Sequence, residues 1–302
     1  MMQSMEAQVM GYSKILAAVG IDAGSENAIL QADARARAAQ GELYVCHAIP
    51  NALGGYPFFY PSSGEFHVEG AETRQRLLAE LSKYVERLTG RKPGEYRVDI
   101  KQGRSHEVIL KIAEAWSADL IVLGVTTDPD KSTSDPDLRH ILRHAEAPVL
   151  VAREREGTKR ILVGTDFSDP SLPAVAAAAH EARRTQGEVT ILHSIELSVA
   201  MPAWSALGPV AVDLPAQVLD DLKADVDKRL IDALKQHGID GARRVMNGSP
   251  SQALLTAAEE LRADLVVVGT LGRTGIPRML IGSVAEEVAL SAPCSVLVVR
   301  LT

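Results

Sequence analysis

The chain has 302 residues, is 46% hydrophobic and 24% charged, and carries a formal net charge of −7. That length suits two ordinary domains, and the acidic balance argues against a nucleic-acid partner, which usually needs a basic face. Two cysteines, Cys46 and Cys294, make no disulfide framework, Met1 to Met10 has no basic stretch leading into an apolar block, and no apolar run reaches membrane-spanning length; we expect a cytoplasmic protein with buried thiols and no membrane partner.

In chain order, one unit is written twice. Gln40-Gly-Glu-Leu-Tyr-Val-Cys-His47 matches Gln186-Gly-Glu-Val-Thr-Ile-Leu-His193 at an offset of 146, which also pairs Ser25 with Ser171 and Ala28 with Ala174. Ala118-Asp-Leu-Ile-Val-Leu-Gly124 matches Ala263-Asp-Leu-Val-Val-Val-Gly269 at an offset of 145, as Ala147-Pro148 matches Ala292-Pro293. A repeat held over more than a hundred residues with one small indel marks a duplicated domain. The boundaries read as 11–153 and 158–302, joined by the charged stretch Arg153 to Thr158.

The second half alternates strands and helices. Ile161 to Thr165 is the first strand, followed by an alanine-rich helix from Ser171 to Thr185 that Gly187 closes at the position helix C-termini favour. Val189 to His193 is the second strand. A helix from Pro215 to Gln236 stops at Gly238, and Ala242 to Met246 is the third strand. Ser249-Pro-Ser-Gln252 opens the next helix, with Ser249 as cap, Pro250 in the first turn and Gln252 completing a capping box. Leu254, Leu255, Ala258 and Leu261 form its apolar stripe. Leu265 to Val268 and Ser295 to Val299 are the last strands. These two, with Leu120 to Leu123, are apolar without alternation, as strands covered on both faces are. The fold class is therefore α/β: two tandem Rossmann-like domains, each a five-stranded parallel sheet flanked by helices. Ligands of such sheets bind where strand order reverses, beyond the carboxyl ends of the first and fourth strands. Here those ends are Thr165-Asp166 and Gly269.

The stretch after Gly269 carries the chemistry. Gly269-x2-Gly272 is followed by Gly282-Ser283 and a helical segment, with Arg273 and Arg278 inside and no acid from 269 to 284. Glycines allow close backbone approach, and a helix start offers unpaired N–H groups to phosphate. The spacing resembles the ATP-binding signature of the universal stress protein family. Ile161-Leu-Val-Gly-Thr-Asp-Phe-Ser168 is similar to that family's first strand, Leu192-His193 to the end of its second, and Val268 to Gly272 with Gly282 to Val284 to its nucleotide loop. The likeness covers Lys14 to Arg300. It implies that Asp166 contacts the nucleoside, that the glycines and Ser283 hold phosphate, and that Ser194 lies against adenine. The implied set is Thr165, Asp166, Ser194, Val268, Gly269, Gly272, Gly282, Ser283 and Val284; Arg273 is added on charge. The implied cofactor is ATP, with or without Mg2+. The resemblance further implies that the halves form an intramolecular pseudo-dimer through Val149 to Ala152 and Ser295 to Val299, with a homodimer of chains as a further option.

The first half departs from this pattern. Gly272 becomes Thr127, Gly282 becomes Asp137 and Ser283 becomes Leu138, while Gly20 stands where Asp166 does unless a local slip brings Asp22 nearby. Residues 124–139 hold Asp128, Asp130, Asp135 and Asp137 against Lys131 and Arg139. Carboxylates at a phosphate site repel the ligand, so one nucleotide site per chain is expected, in the second half.

Other features have plainer readings. Asp166 could cap the turn after its strand, Ser283 could cap its helix, and Glu286-Glu287 suits a helix start by dipole pairing. His47 and His193 read as structural or pocket-lining. His140 and His144 read as a solvated helix face, and no metal is expected. The connection Asn51 to Gly70 holds Tyr56, Phe58, Phe59 and Tyr60, either as a covering loop or as a lid over a second ligand. Its counterpart runs from Met201 to Pro215. There is no P-loop and no nucleophile elbow, and the nucleotide loop offers no general base. The favoured function is a nucleotide-responsive stress or signalling factor read by a protein partner, without catalytic residues. The competing classes are a weak ATPase or nucleotide-dependent enzyme, and a module binding an apolar ligand or partner through the first half.

Overall fold

The computed structural model describes residues 11–20, 24–49, 71–125, 135–154, 159–196, 216–270 and 281–300. In the first half the elements are β1 (Lys14–Val19), α1 (Gly24–Ala38), β2 (Glu42–Ile49), α2 (Ala71–Thr89), β3 (Arg97–Gln102), α3 (Ser105–Trp116), β4 (Leu120–Gly124), α4 (Pro136–His144) and β5 (Val149–Ala152). The second half repeats them as β6 (Arg160–Gly164), α5 (Leu172–Thr185), β7 (Glu188–Ile195), α6 (Ala216–Gln236), β8 (Gly241–Asn247), α7 (Pro250–Glu260), β9 (Leu265–Gly269), α8 (Ser283–Ser291) and β10 (Ser295–Val299). A single 3-10 turn, Asp169–Ser171, precedes α5, so that helix begins one residue later than expected.

Each half is the expected five-stranded parallel sheet, and the two fuse into one sheet of ten strands in the order β3-β2-β1-β4-β5-β10-β9-β6-β7-β8. The join is β5 against β10, antiparallel, as the resemblance implies. Val151 pairs with Val296, its own counterpart at an offset of 145, so a pseudo-twofold axis passes between them. β4, β5, β9 and β10 are buried on both faces, which accounts for their unbroken apolar sequences. One apolar core under α3, α4, α7 and α8 and another under α1, α2, α5 and α6 each run across both halves. Cys46 and Cys294 are buried in the first of these and are not joined in a disulfide. Burial, and then the charge of Asp99, pushes the Cys46 thiol up to about 12. Among the described residues no helix is long and apolar enough to cross a membrane.

The Ala-Asp-Leu repeat has a structural task that its sequence does not announce. Asp119 accepts hydrogen bonds from the Ser13 and Lys14 amides (2.8 and 2.9 Å), and Asp264 accepts them from Lys159 and Arg160 (3.1 and 2.9 Å). Each aspartate thus staples the entry of the fourth strand to the entry of the first and satisfies amides at the sheet's lower edge.

Two local expectations need correction. The left-handed residue closing α5 is Gln186 (φ 54°), not Gly187. The glycine is needed for approach: a Cβ on Gly187 would lie 2.5 Å from the Lys159 carbonyl oxygen, and one on Gly41 would lie 2.4 Å from that of Ser13. The capping box at Ser249 does not form either. Ser249 is the N-cap of α7 by position, but its side chain makes no cap hydrogen bond; its hydroxyl lies 3.1 Å from that of Ser251, and Gln252 reaches across to Glu287 (3.1 Å). Ser249→Ala is therefore expected to change unfolding free energy in urea by less than about 0.5 kcal/mol, where loss of a working cap costs about 1 kcal/mol. A loss of the larger size would show that the hydroxyl caps after all.

Candidate functional site

β6 and β9 lie side by side in parallel, Val163 in register with Val267, and the chain turns to β7 on one side of β6 and returns to β9 on the other. The switch point therefore lies between the ends of these strands, with Thr165-Asp166 following β6 and Gly269 ending β9. The turn after β6 is tightly organised. Thr165 leaves the ladder but still donates its amide to Leu192 (3.0 Å), and its buried hydroxyl pairs with Ser171 (2.9 Å) and accepts from the Phe167 amide (3.1 Å). Asp166 Oδ1 accepts from the Ser168 amide and hydroxyl (3.0 and 2.5 Å). The turn-capping reading of Asp166 is thus real for that oxygen. Phe167 takes a left-handed φ of 61°, uncommon away from glycine, and its ring sits between His193 (4.6 Å between centroids) and the Arg229 guanidinium (4.2 Å).

His193 and His47 play one role in the two halves. Each Nδ1 donates to the main-chain carbonyl at the end of the neighbouring first strand: Thr165 at 2.8 Å and Val19 at 2.7 Å. Each ring thus makes a structural hydrogen bond, in keeping with the first of the two readings expected for it. The Ser194 hydroxyl donates to the Gly248 carbonyl (2.6 Å) and ties the end of β7 to the end of β8.

On the other side of the crevice, Thr270 donates to Val299 (2.9 Å) and accepts from the Gly282 amide (2.6 Å), so the two ends of the glycine-bearing segment are held together. Gly272 and Arg273 lie outside the described residues, as do Thr127 and the aromatic segment of the first half with its counterpart. A Cβ on Gly269 would lie 2.9 Å from the Pro170 carbonyl oxygen, which fits β9 closely under the turn after β6. Gly282 is the N-cap of α8 and supplies no side-chain cap, while Ser283 is the first helical residue and is exposed. The cap reading of Ser283 is corrected accordingly. Val268 and Val284 put their side chains into or against the core, which leaves their main chain for any contact in the crevice.

The first half fills the same place with its own groups. α4 begins at Pro136, and the Asp135 carboxylate accepts from the amides of Asp137 and Leu138 (2.9 and 3.1 Å). Asp137 in turn pairs with His106. His106, His140 and His144 stack with centroids 4.2 and 4.1 Å apart, so the pair on α4 is a packed corner and not only a solvated face. Burial first, then the positive charges of His144 and His106, hold His140 below its ordinary range. Among the described residues no group of three His, Cys, Asp or Glu is disposed to hold a metal ion.

Sequence reasoning missed what holds α8. Glu286, read there as a dipole partner, accepts from Arg139 (2.6 Å) and Arg143 (2.8 Å) on α4 of the other half. Arg153 donates to the Ala289 and Leu290 carbonyls at the end of α8 (2.7 and 3.0 Å), and Arg300 donates to Leu142 near the end of α4 (2.6 Å). Each half thus sends an arginine to the other's last helix, with the sign that a helix C-terminus favours. Local pattern carries no signal for these contacts between residues more than 130 positions apart.

The model of the universal stress protein family matches the chain twice, over residues 11–153 and 157–300. Universal stress protein MJ0531 of Methanocaldococcus jannaschii is 33% identical over 144 residues, 47% of this chain and 82% of that protein. Universal stress protein YxiE of Bacillus subtilis is 32% identical over 148 residues, 47% of this chain and 98% of that protein. Among solved structures, a universal stress protein from Archaeoglobus fulgidus superposes over 95% of this chain and 97% of its own with a TM-score of 0.65 at 20% identity, a likeness of fold.

Proposed function

Because the chain belongs to the universal stress protein family, we propose that its second half, residues 158–302, binds ATP at the switch point between β6 and β9. The first half, residues 11–153, is on this reading a degenerate copy without a nucleotide, and the protein is a cytoplasmic, nucleotide-responsive stress factor. One contrast carries the reading. The amides that open α4 are taken by the Asp135 carboxylate, whereas α8 opens on Gly282 with no side-chain cap. A helix start whose N-cap residue brings no side chain to its amides suits a phosphate group.

In this site Gly269, Gly272, Gly282 and Ser283 cradle the phosphates, with Arg273 adding charge and Mg2+ accompanying them where bound. Asp166 meets the nucleoside, and Thr165, Ser194 and the main chain of Val268 and Val284 line the remainder. The Gly269 and Gly282 positions fit close main-chain approach, since a Cβ on Gly282 would already meet the Thr270 carbonyl oxygen at 3.2 Å. A bound nucleotide would change the order of the loop from Thr270 to Ile281, and a protein partner would read that change.

Isothermal titration is expected to give one ATP per chain. Asp166→Asn keeps an oxygen to accept from Ser168, so the turn survives while the charge is lost; affinity is expected to fall about 10-fold with little change in thermal stability. Two equivalent sites per chain, or unaltered affinity in Asp166→Asn, would overturn the reading.

A further inference from the structure

Arg35 on α1 and Glu181 on α5 meet across the join, Nη2 to Oε2 at 2.9 Å, with their side chains 2% and 1% exposed. They are 146 positions apart, the offset that relates the two halves in this region. Each is therefore the other's counterpart in the duplication. A twofold axis between identical halves would set one residue type against itself at this place. Here the duplicated position carries opposite charges.

We infer that Arg35 and Glu181 form a pairing code, which makes each half accept the other and reject a copy of itself from a second chain. Two first halves joined through β5 would bring Arg35 against Arg35 in a dry interior. The position that places Arg184 beside Glu181 is Ala38 in the first half, so it brings no acid to offset two arginines. Two second halves would bring Glu181 against Glu181. Arg184 softens that encounter, since it already donates to Glu181 (2.6 Å), so the code acts most strongly against pairs of first halves. A like-charged buried pair is disfavoured both by repulsion and by desolvation, which is how repulsive elements set partner choice.

The surroundings fit selection of a partner more than maximal stability. Among the described residues, Arg35 Nε, Glu181 Oε1 and the nearby Tyr12 hydroxyl are buried without a hydrogen-bond partner. Tyr12 packs edge-on against His180, the neighbour of Glu181, and burial followed by the charge of Glu181 raises its phenol far above the ordinary value. An apolar pair would fill this space without such unpaired atoms. The β5–β10 ladder and the two apolar cores supply adhesion that would serve any combination of halves, because both strands are apolar and similar. Discrimination has to come from positions that differ, and this pair differs in sign at the same place.

The test uses the whole 302-residue chain. Arg35→Glu and Glu181→Arg, each placing like charges inside one chain, are expected to lower the thermal midpoint by roughly 10 °C or more. The double variant Arg35→Glu/Glu181→Arg is expected to recover more than half of the larger loss. The two single variants are then unfolded in urea, mixed in equal amounts and refolded together. Each now finds its complement only in the other chain, so native mass spectrometry is expected to show mixed two-chain species above the share that random association gives. This arm holds even where a single variant alone does not refold. A double variant no more stable than the weaker single, or unlike chains pairing no more often than at random, would show that the pair has only a packing role.

Discussion

Gly282→Asp is expected to weaken ATP binding by about 100-fold or more while leaving the folded chain as stable as before, within about 1 kcal/mol. The substitution installs at the N-cap of α8 the group that Asp135 already places at the N-cap of α4, where it accepts from the second and third helical amides. Aspartate is a favoured N-cap, so the helix gains a partner for amides that Gly282 leaves uncapped by a side chain. The same carboxylate would stand where phosphate is proposed to bind and would compete for the same N–H groups. Its charge adds repulsion of a few kcal/mol at an effective dielectric of about 20. The new Cβ meets the Thr270 carbonyl oxygen at 3.2 Å, a contact that a shift of a few tenths of an ångström relieves. Binding and stability thus move apart. Titration calorimetry and urea denaturation on one preparation read both quantities. Unchanged affinity would place the ligand elsewhere, and a collapse of stability would show that Gly282 is held for its shape alone.

The repeat was the most informative thing in the sequence, because one offset locates an axis as well as a second domain. It pairs Val151 with Val296 at the centre of the sheet and makes the Arg35–Glu181 contact intelligible once the halves are joined. The double-faced burial of β4, β9 and β10 was legible for the same physical reason that parallel strands are apolar throughout. The switch point followed from element order alone. Local capping was less legible. Ser249-Pro-Ser-Gln252 carries every sign of a capping box, yet the side chains have partners elsewhere: Ser249 turns to Ser251, and Gln252 finds Glu287 on the next helix. Asp135-Pro136 carried an N-cap signal that a count of charges passes over, since the count records the sign of Asp135 and not the amides it binds. The partners of Glu286 lie on the other half and depend on how the halves meet. Electrostatic pairs of that kind become visible only after the topology is known.

The duplication also provides a control on the glycines that end β4 and β9. Gly124→Ala is expected to destabilise the chain by about 3 kcal/mol or more, lowering the thermal midpoint by roughly 5 °C, with ATP affinity unchanged in the molecules that remain folded. A Cβ on Gly124 would sit 2.0 Å from the Gly24 carbonyl oxygen, and one on Gly24 would sit 2.8 Å from the Val125 nitrogen. Main chain faces main chain there, so no side chain can rotate out of the way, and either β4 or the start of α1 has to move. Gly269 occupies the same place in the second half. A Cβ on it would lie 2.9 Å from the Pro170 carbonyl oxygen and 3.4 Å from Ser171 Cα, a milder collision against a turn outside the helix proper. Gly269→Ala is accordingly expected to cost only about 1–2 kcal/mol. Its effect on ATP should be the larger of the two, because the shift falls on the turn that carries Thr165 and Asp166. The pair of substitutions separates glycine as a packing device from glycine beside a ligand. Equal losses of stability would contradict the geometry of the two turns. Loss of ATP binding in folded Gly124→Ala would move the nucleotide to the first half, whose own aspartates stand against it.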